Sequence, residues 1–218
     1  MTGADSAWLA TWLPPGIGGA MLRIDAVDLD ERAAAAGLGE GTEAMLPGRR
    51  REHLAGRLAA RAALLAHGAD DARVGRSGDA PVWPPGWCGS ISHGGGLAMA
   101  VVARSTRWRS IGVDVEPQIT DRRIRVVEAV MTADERAAAW LADDPWVWTR
   151  AWAAKEAVWK CLSALGCEPG FEDIVPRWVE QEAGVLVARV RWSAIDVVVD
   201  ARVHAGLAWS LARVEGCD

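Results

Sequence analysis

The chain has 218 residues, a formal net charge of −5, and hydrophobic side chains at 50% of its positions. A chain of that length buries a real core, in one domain or two small ones. The acidic balance gives no general reason to expect nucleic acid or an anionic membrane as partner, and no apolar run reaches the length needed to span a bilayer.

The first residues carry no basic region ahead of an apolar run, and Pro14-Pro15-Gly16 interrupts soon after, so they do not read as a signal peptide. Residues 21–29 alternate imperfectly and predict a first strand, followed by an alanine-rich helix from Asp30 to Leu38 that ends at Gly37 or Gly39. A firmer helix runs from Pro47 to about His67 and stops at Gly68. Its apolar stripe is Leu54, Leu58, Ala62 and Leu65, while Arg49, His53, Arg57 and Arg61 recur every four residues on another side. Arg49, Arg50 and Arg51 in the first turn oppose the helix dipole, at a cost of about 0.3 kcal/mol or more each, so an anion is their natural counterpart. A solvated basic face explains the same pattern.

Residues 75–86 form a loop by their Gly and Pro content, and the backbone around Gly75, Ser77 and Gly78 can offer N–H groups to a phosphate. Gly89-Ser90-Ile91-Ser92-His93 leads through three glycines into Leu97 to Ala103, a buried strand. A lone histidine before glycines is more often structural than a ligand. Cys88, Cys161, Cys167 and Cys217 lack any Cys-x-x-Cys spacing, which argues against a zinc or redox motif and for reduced thiols in a cytoplasmic protein.

After a turn over 104–109, Ile111-Gly112-Val113-Asp114-Val115-Glu116 has the period of a half-buried strand. Asp114 and Glu116 therefore point the same way, about 7 Å apart, and repel unless a cation lies near. Such hard oxygen donors suit Mg2+ or Mn2+. A helix over Arg122–Met131 follows, and then Thr132-Ala133-Asp134-Glu135 has the pattern of a capping box opening another toward Trp140. The next helix has Asp144 as N-cap, Pro145 in the first position and Gly166 as left-handed C-cap. Val147, Ala151, Ala154, Val158, Cys161 or Leu162, and Leu165 make its buried stripe, and Trp152, Glu156 and Lys160 share another face. Of the 24 Lys and Arg residues only Lys155 and Lys160 are lysine, which suggests sites that want a compact charge or a proton-transfer group. An exposed Lys-Glu-Lys pair is the alternative. Residues 185–192, 195–203 and 207–214 then predict three consecutive strands in an antiparallel meander.

Gly112-Val113-Asp114-Val115-Glu116, followed some forty residues later by Trp152-Ala153-Ala154-Lys155-Glu156-Ala157-Val158-Trp159-Lys160, resembles the two signature motifs of the 4'-phosphopantetheinyl transferases, in their long, Sfp-like form. The resemblance runs over about residues 45–215 and implies an α+β fold of two similar lobes, related by a pseudo-twofold axis, with the ligand site between them. The lobes would be residues 1–106 and 107–218. It implies a cytoplasmic, monomeric enzyme that moves 4'-phosphopantetheine from coenzyme A to a serine of an apo acyl or peptidyl carrier protein. Such transfer releases adenosine 3',5'-bisphosphate and serves secondary metabolism, siderophore biosynthesis included. By resemblance, Asp114, Glu116 and Glu156 hold Mg2+, with Mn2+ an alternative. Glu156 is the general base, Lys160 steadies the phosphate oxygens, and Asp114 completes the catalytic set.

Arg49 and Arg57 match residues that contact the 3'-phosphate of coenzyme A, and Ser92 and His93 match a Ser-x-Ser/Thr-His phosphate motif. Lys155 adds a basic contact. Gly75 to Gly78 matches a Gly-Lys-Pro-like segment whose lysine is absent here, with Arg76 the nearest substitute. Val127, Val130 and Met131 are candidate contacts for the carrier, although core packing explains them equally well. Two rival readings use the same residues: a metal-dependent phosphohydrolase acting on nucleotides, and a non-catalytic coenzyme A binding module.

Overall fold

In the computed structural model the structure describes residues 3–120, 122–181 and 185–216. The chain is α+β and divides into two compact units, Met1–Arg107 and Trp108–Asp218. Each is a long helix laid over an antiparallel sheet.

The first unit runs α1 (Gly3–Trp12), β1 (Ile17–Arg23), α2 (Leu29–Ala35), α3 (Pro47–Ala66), β2 (Gly75–Ser77), β3 (Ala80–Val82), β4 (Trp87–Gly94) and β5 (Leu97–Arg104). Its main sheet has the order β1-β5-β4, and α3 covers it. The first strand begins and ends earlier than its alternation predicts. Gly18 and Gly19 hide it from a hydrophobic pattern, and both are needed: a Cβ on Gly18 would fall 2.0 Å from the His67 ring, and one on Gly19 2.8 Å from Leu13. The apparent continuation after Arg23 is a turn in which that guanidinium clasps Asp25. Helix α1, which no sequence pattern announced, buries Leu9 and Trp12.

Helix α3 keeps its expected bounds but not all of its expected stripe. Leu54 and Leu58 are buried, whereas Leu65 is 51% exposed and its place in the core is taken by Ala63 and Leu64. Steps of four residues advance about 400°, so a ladder of them drifts off the true face within three steps. Within the predicted 75–86 loop lies a small hairpin, β2–β3, whose turn puts Gly78 at φ 58°. The β4–β5 hairpin turns on Gly95 and Gly96, both at positive φ, as a two-residue connection of this hand requires.

The second unit runs β6 (Trp108–Pro117), α4 (Arg122–Ala129), α5 (Ala133–Leu141), α6 (Val147–Ser163), a single 3-10 turn (Phe171–Asp173), β7 (Arg177–Gln181), β8 (Val185–Trp192), β9 (Ile195–His204) and β10 (Leu207–Glu215). The predicted meander is part of a five-stranded antiparallel sheet, β6-β10-β9-β8-β7. Its outermost strand, β7, went unpredicted.

Helix α6 crosses this sheet, burying Ala154, Ala157, Val158, Cys161 and Leu162 against Val190, Val197, Val199 and Ala212. Each Val or Leu so enclosed contributes about 1.5–3 kcal/mol. The helix approaches most closely at Gly112, where a Cβ would stand 2.0 Å from the Ala157 carbonyl oxygen. Register places Gly112, Asp114 and Glu116 beside Ala212, Ser210 and Ala208, on the face that α6 covers.

The start of α6 differs from its expected form. Trp146, not Asp144, is the N-cap, and the Asp144 side chain instead accepts the Trp146 backbone N–H at 2.9 Å. The end follows expectation, with Gly166 at φ 77° and the Cys167 N–H donating to the Leu162 carbonyl. Val147 and Ala151 leave the main stripe to pack with Ile119, Val127, Met131, Ala139 and Trp148. Core packing thus accounts for Val127 and Met131, 2% and 4% exposed. The capping box of α5 forms as its sequence predicts, with Thr132 Oγ1 accepting from the Glu135 N–H and Glu135 accepting from the Thr132 N–H. Among the described residues no helix is long and apolar enough to cross a membrane.

Candidate active site

Asp114 and Glu116 on β6 and Glu156 on α6 stand within electrostatic reach of one another where the helix packs on the strand. Asp114 is buried, and its Oδ1 accepts a hydrogen bond from Lys160 Nζ at 2.7 Å; the same ammonium donates to the Val113 carbonyl at 3.2 Å. Glu116, one residue pair along the strand, accepts from Trp152 Nε1 at 3.2 Å and from Arg123 Nη2 at 3.3 Å. Glu156 lies one helical turn from both Trp152 and Lys160.

The three acids feel one another. Burial pushes the Glu116 carboxyl above its ordinary range, Asp114 adds to the shift, and Arg123 and Trp152 oppose it. Burial likewise raises Glu156, against the pull of Lys160, with Asp114 and Glu116 adding to the rise. An oxygen-only donor set under mutual repulsion fits a hard dication, which would relieve the strain. Among the described residues, however, no group of three or more His, Cys, Asp or Glu side chains is gathered so that it could hold a metal ion. Positive charge at Asp114 is supplied by Lys160.

Lys155 does not join this group. Fully buried, it donates to Glu135, to the Phe171 carbonyl at 3.0 Å and to the Ile174 carbonyl. Burial holds its ammonium below the usual lysine range, with Glu135 opposing. All three N–H bonds are thus spent within the protein, tying α6 to the start of α5 and to the 3-10 turn. The two lysines, five residues apart, have different neighbours and different work.

The first unit gathers a cationic cluster. Arg49 Nη1 lies 2.7 Å from His93 Nε2, across 44 residues of sequence, and 3.3 Å from Glu52. Arg57, by contrast, is 7% exposed and donates to the carbonyls of Val74 and Gly75, at 3.0 and 2.6 Å, so it fixes the entry to β2. Burial and then Arg76 hold Arg57 below the usual arginine range. Arg76 pairs with Asp79 at 2.9 Å and with the Gly78 carbonyl, inside the exposed hairpin that also carries Gly75 and Ser77. His53 is lowered by burial and then by Arg57, Arg76 and Arg49, an excess of positive charge that an anion would balance. Alternation along β4 puts Ser92, buried, on the face opposite His93 and Ile91.

Helical spacing puts His53 on the basic ladder and Trp152 on the face of Glu156 and Lys160, and the capping box includes Glu135, but none of these patterns gives the three a role beside site residues; Arg123 left no signal at all.

Comparison with known proteins agrees with these two halves. The 4'-phosphopantetheinyl transferase N-terminal domain profile matches residues 39–103, and the 4'-phosphopantetheinyl transferase superfamily profile matches residues 110–193. Enterobactin synthase component D of Salmonella typhimurium is 38% identical over 128 residues, covering 56% of this chain and 52% of that protein. The 4'-phosphopantetheinyl transferase Svp of Streptomyces mobaraensis is 36% identical over 152 residues, covering 66% of this chain and 61% of that protein. Among solved structures, the Chronobacterium ammoniagenes ACPS-CoA complex matches with a TM-score of 0.36 and 17% identity, over 50% of this chain and 97% of that one. The chain spans about half the length of the first curated relatives it matches. With both of its units matched, the chain belongs to the 4'-phosphopantetheinyl transferase superfamily, in its Sfp-like form.

Proposed function

We propose that the protein transfers the 4'-phosphopantetheine arm of coenzyme A to a serine of an apo acyl or peptidyl carrier protein, with Mg2+ or Mn2+, and releases adenosine 3',5'-bisphosphate. What supports this is that Lys160 sits on Asp114 and that Asp114 and Glu116 both add to the upward push on Glu156. Asp114, Glu116 and Glu156 would hold the dication, which would supply Lewis acidity and a template for the pyrophosphate. Lys160 stabilises negative charge on the phosphate oxygens as the bond to the arm breaks. Glu156 takes the proton of the acceptor serine; its raised proton affinity suits that task.

At the basic cluster, Arg49 and His93 grip the 3'-phosphate, and Arg57 holds the Gly75 backbone. Arg76, Ser77 and Gly78 supply further contacts to the nucleotide, at the cost of the Arg76 pairing with Asp79. This remote grip contributes positioning energy to a reaction elsewhere on the ligand. Lys155 takes a structural part. The protein works as a cytoplasmic monomer, and carriers of siderophore assembly are a natural choice given a relative named enterobactin synthase component D.

Incubation with coenzyme A, Mg2+ and an apo carrier, followed by intact mass of the carrier, tests the reading directly. Gain of one phosphopantetheine supports it. Breakdown of coenzyme A without any carrier favours a phosphohydrolase, and binding without turnover favours a silent module.

A further inference from the structure

We propose that Trp152 and Phe171 are positioning residues for the Glu116 carboxylate, clamped in place by buried Lys155. The inference rests on the reading of Glu116 as a ligand of the dication.

Glu116 lies near the surface, its side chain 18% exposed, and two donors compete for it. Arg123, 55% exposed, pulls Oε2 outward, while the indole N–H of Trp152 holds Oε1 toward α6. With one oxygen on each donor the carboxylate has a single orientation. Loss of the indole donor leaves only the outward pull.

That donor is itself held. The Trp152 ring stacks on Phe171 with centroids 5.4 Å apart and planes 8° from parallel, and Phe171 stacks on Trp159 at 6.1 Å and 11°. Trp152 and Trp159 are two helical turns apart, about 10.5 Å along the axis, which leaves between them a slot one ring wide. The chain's single Phe fills it, on the helix face that also carries Glu156. The phenyl ring can do so only if the 3-10 turn lies flat across α6. Lys155 ensures that, by donating to the Phe171 and Ile174 carbonyls from beneath. A chain of contacts therefore runs from an ammonium in the core, through a stacked ring, to an oxygen of the acidic group.

Outer groups that orient a metal ligand are commonly worth tenfold or more in metal affinity. The test is Mn2+ binding to the ligand-free protein, read from the electron paramagnetic resonance signal of unbound Mn2+. Trp152→Phe keeps a ring in the stack and removes only the N–H, and Phe171→Leu removes the stack and keeps the N–H. Each is expected to weaken Mn2+ binding by about tenfold with an unchanged circular dichroism spectrum. In a Glu116→Gln background, Trp152→Phe should cause no further loss. Wild-type Mn2+ affinity in the folded Trp152→Phe protein, with Glu116 intact, overturns the positioning role while leaving the proposed function standing. A wild-type chain that neither binds Mn2+ nor modifies a carrier overturns both.

Discussion

Replacing Lys155 with Met tests how the second unit is held together. The substitution keeps an unbranched side chain in the cavity and removes an ammonium with no solvent exposure. Its partners lose unequally. The Phe171 and Ile174 carbonyls each forfeit a donor, which costs about 1–3 kcal/mol where water cannot replace it. Glu135 fares better, because its side chain is 16% exposed and keeps the Thr132 N–H. Against these losses stands the relief of no longer desolvating a cation. Breaking one side of a buried ion pair typically costs about 3–5 kcal/mol, and the exposure of Glu135 places this case near 3. With a urea m-value of about 2 kcal/mol/M, the unfolding midpoint should fall by about 1.5 M. A midpoint within about 0.3 M of wild type would refute the claim that Lys155 clamps this unit.

Glu156→Gln should abolish transfer yet stabilise the fold at neutral pH. A carboxyl whose folded pKa exceeds its ordinary 4.5 gives full stability only below that value, and loses it as pH rises through the folded pKa. Thermal melts should therefore show the Gln variant above wild type at pH 7.5, with the gap closing toward pH 4; a wild type that melts higher at pH 7.5 would sink this sign. Arg49→Ala should raise KM for coenzyme A far more than for dephospho-coenzyme A, with little change in melting temperature, because its side chain is 59% exposed. Arg57→Ala should also lose about 2 kcal/mol of stability in a denaturant titration, since two carbonyls lose their donor. Gly112→Ala should destabilise by about 3 kcal/mol or more, read from the same titration, because the new carbon meets helix backbone that cannot swing aside.

What could be read from the sequence followed from short-range physics. The Asp114/Glu116 strand, the α5 capping box and the Gly166 terminus all depend on neighbours within a few residues, and all are where they were expected. That Glu156 feels the charge of the acidic pair was legible because the α6 face and the β6 face each have a fixed period. Long-range partners left no such trace. Lys155 and Lys160 are alike in kind, yet a rotation of about 100° per residue sends one into the core and the other to Asp114. Ser92 and His93 are adjacent in sequence and fall on opposite faces, a consequence of strand geometry that a motif match overlooks. Arg57 shares its spacing with the other rungs of the basic ladder, yet the carbonyls of residues 74 and 75 claim it.

The scarcity of lysine has a practical side. One of the two ε-amines is shut off from solvent and hydrogen-bonded on all sides, while the other, on a side chain 24% exposed, touches an acid at the heart of the proposed chemistry. Reagents that acylate or alkylate lysine would find on α6 a single target, and a dose-response of labelling against lost turnover would count that target directly. Immobilisation through lysine amines would for the same reason tether this protein by its proposed working parts, so a surface-bound form needs a different chemical handle.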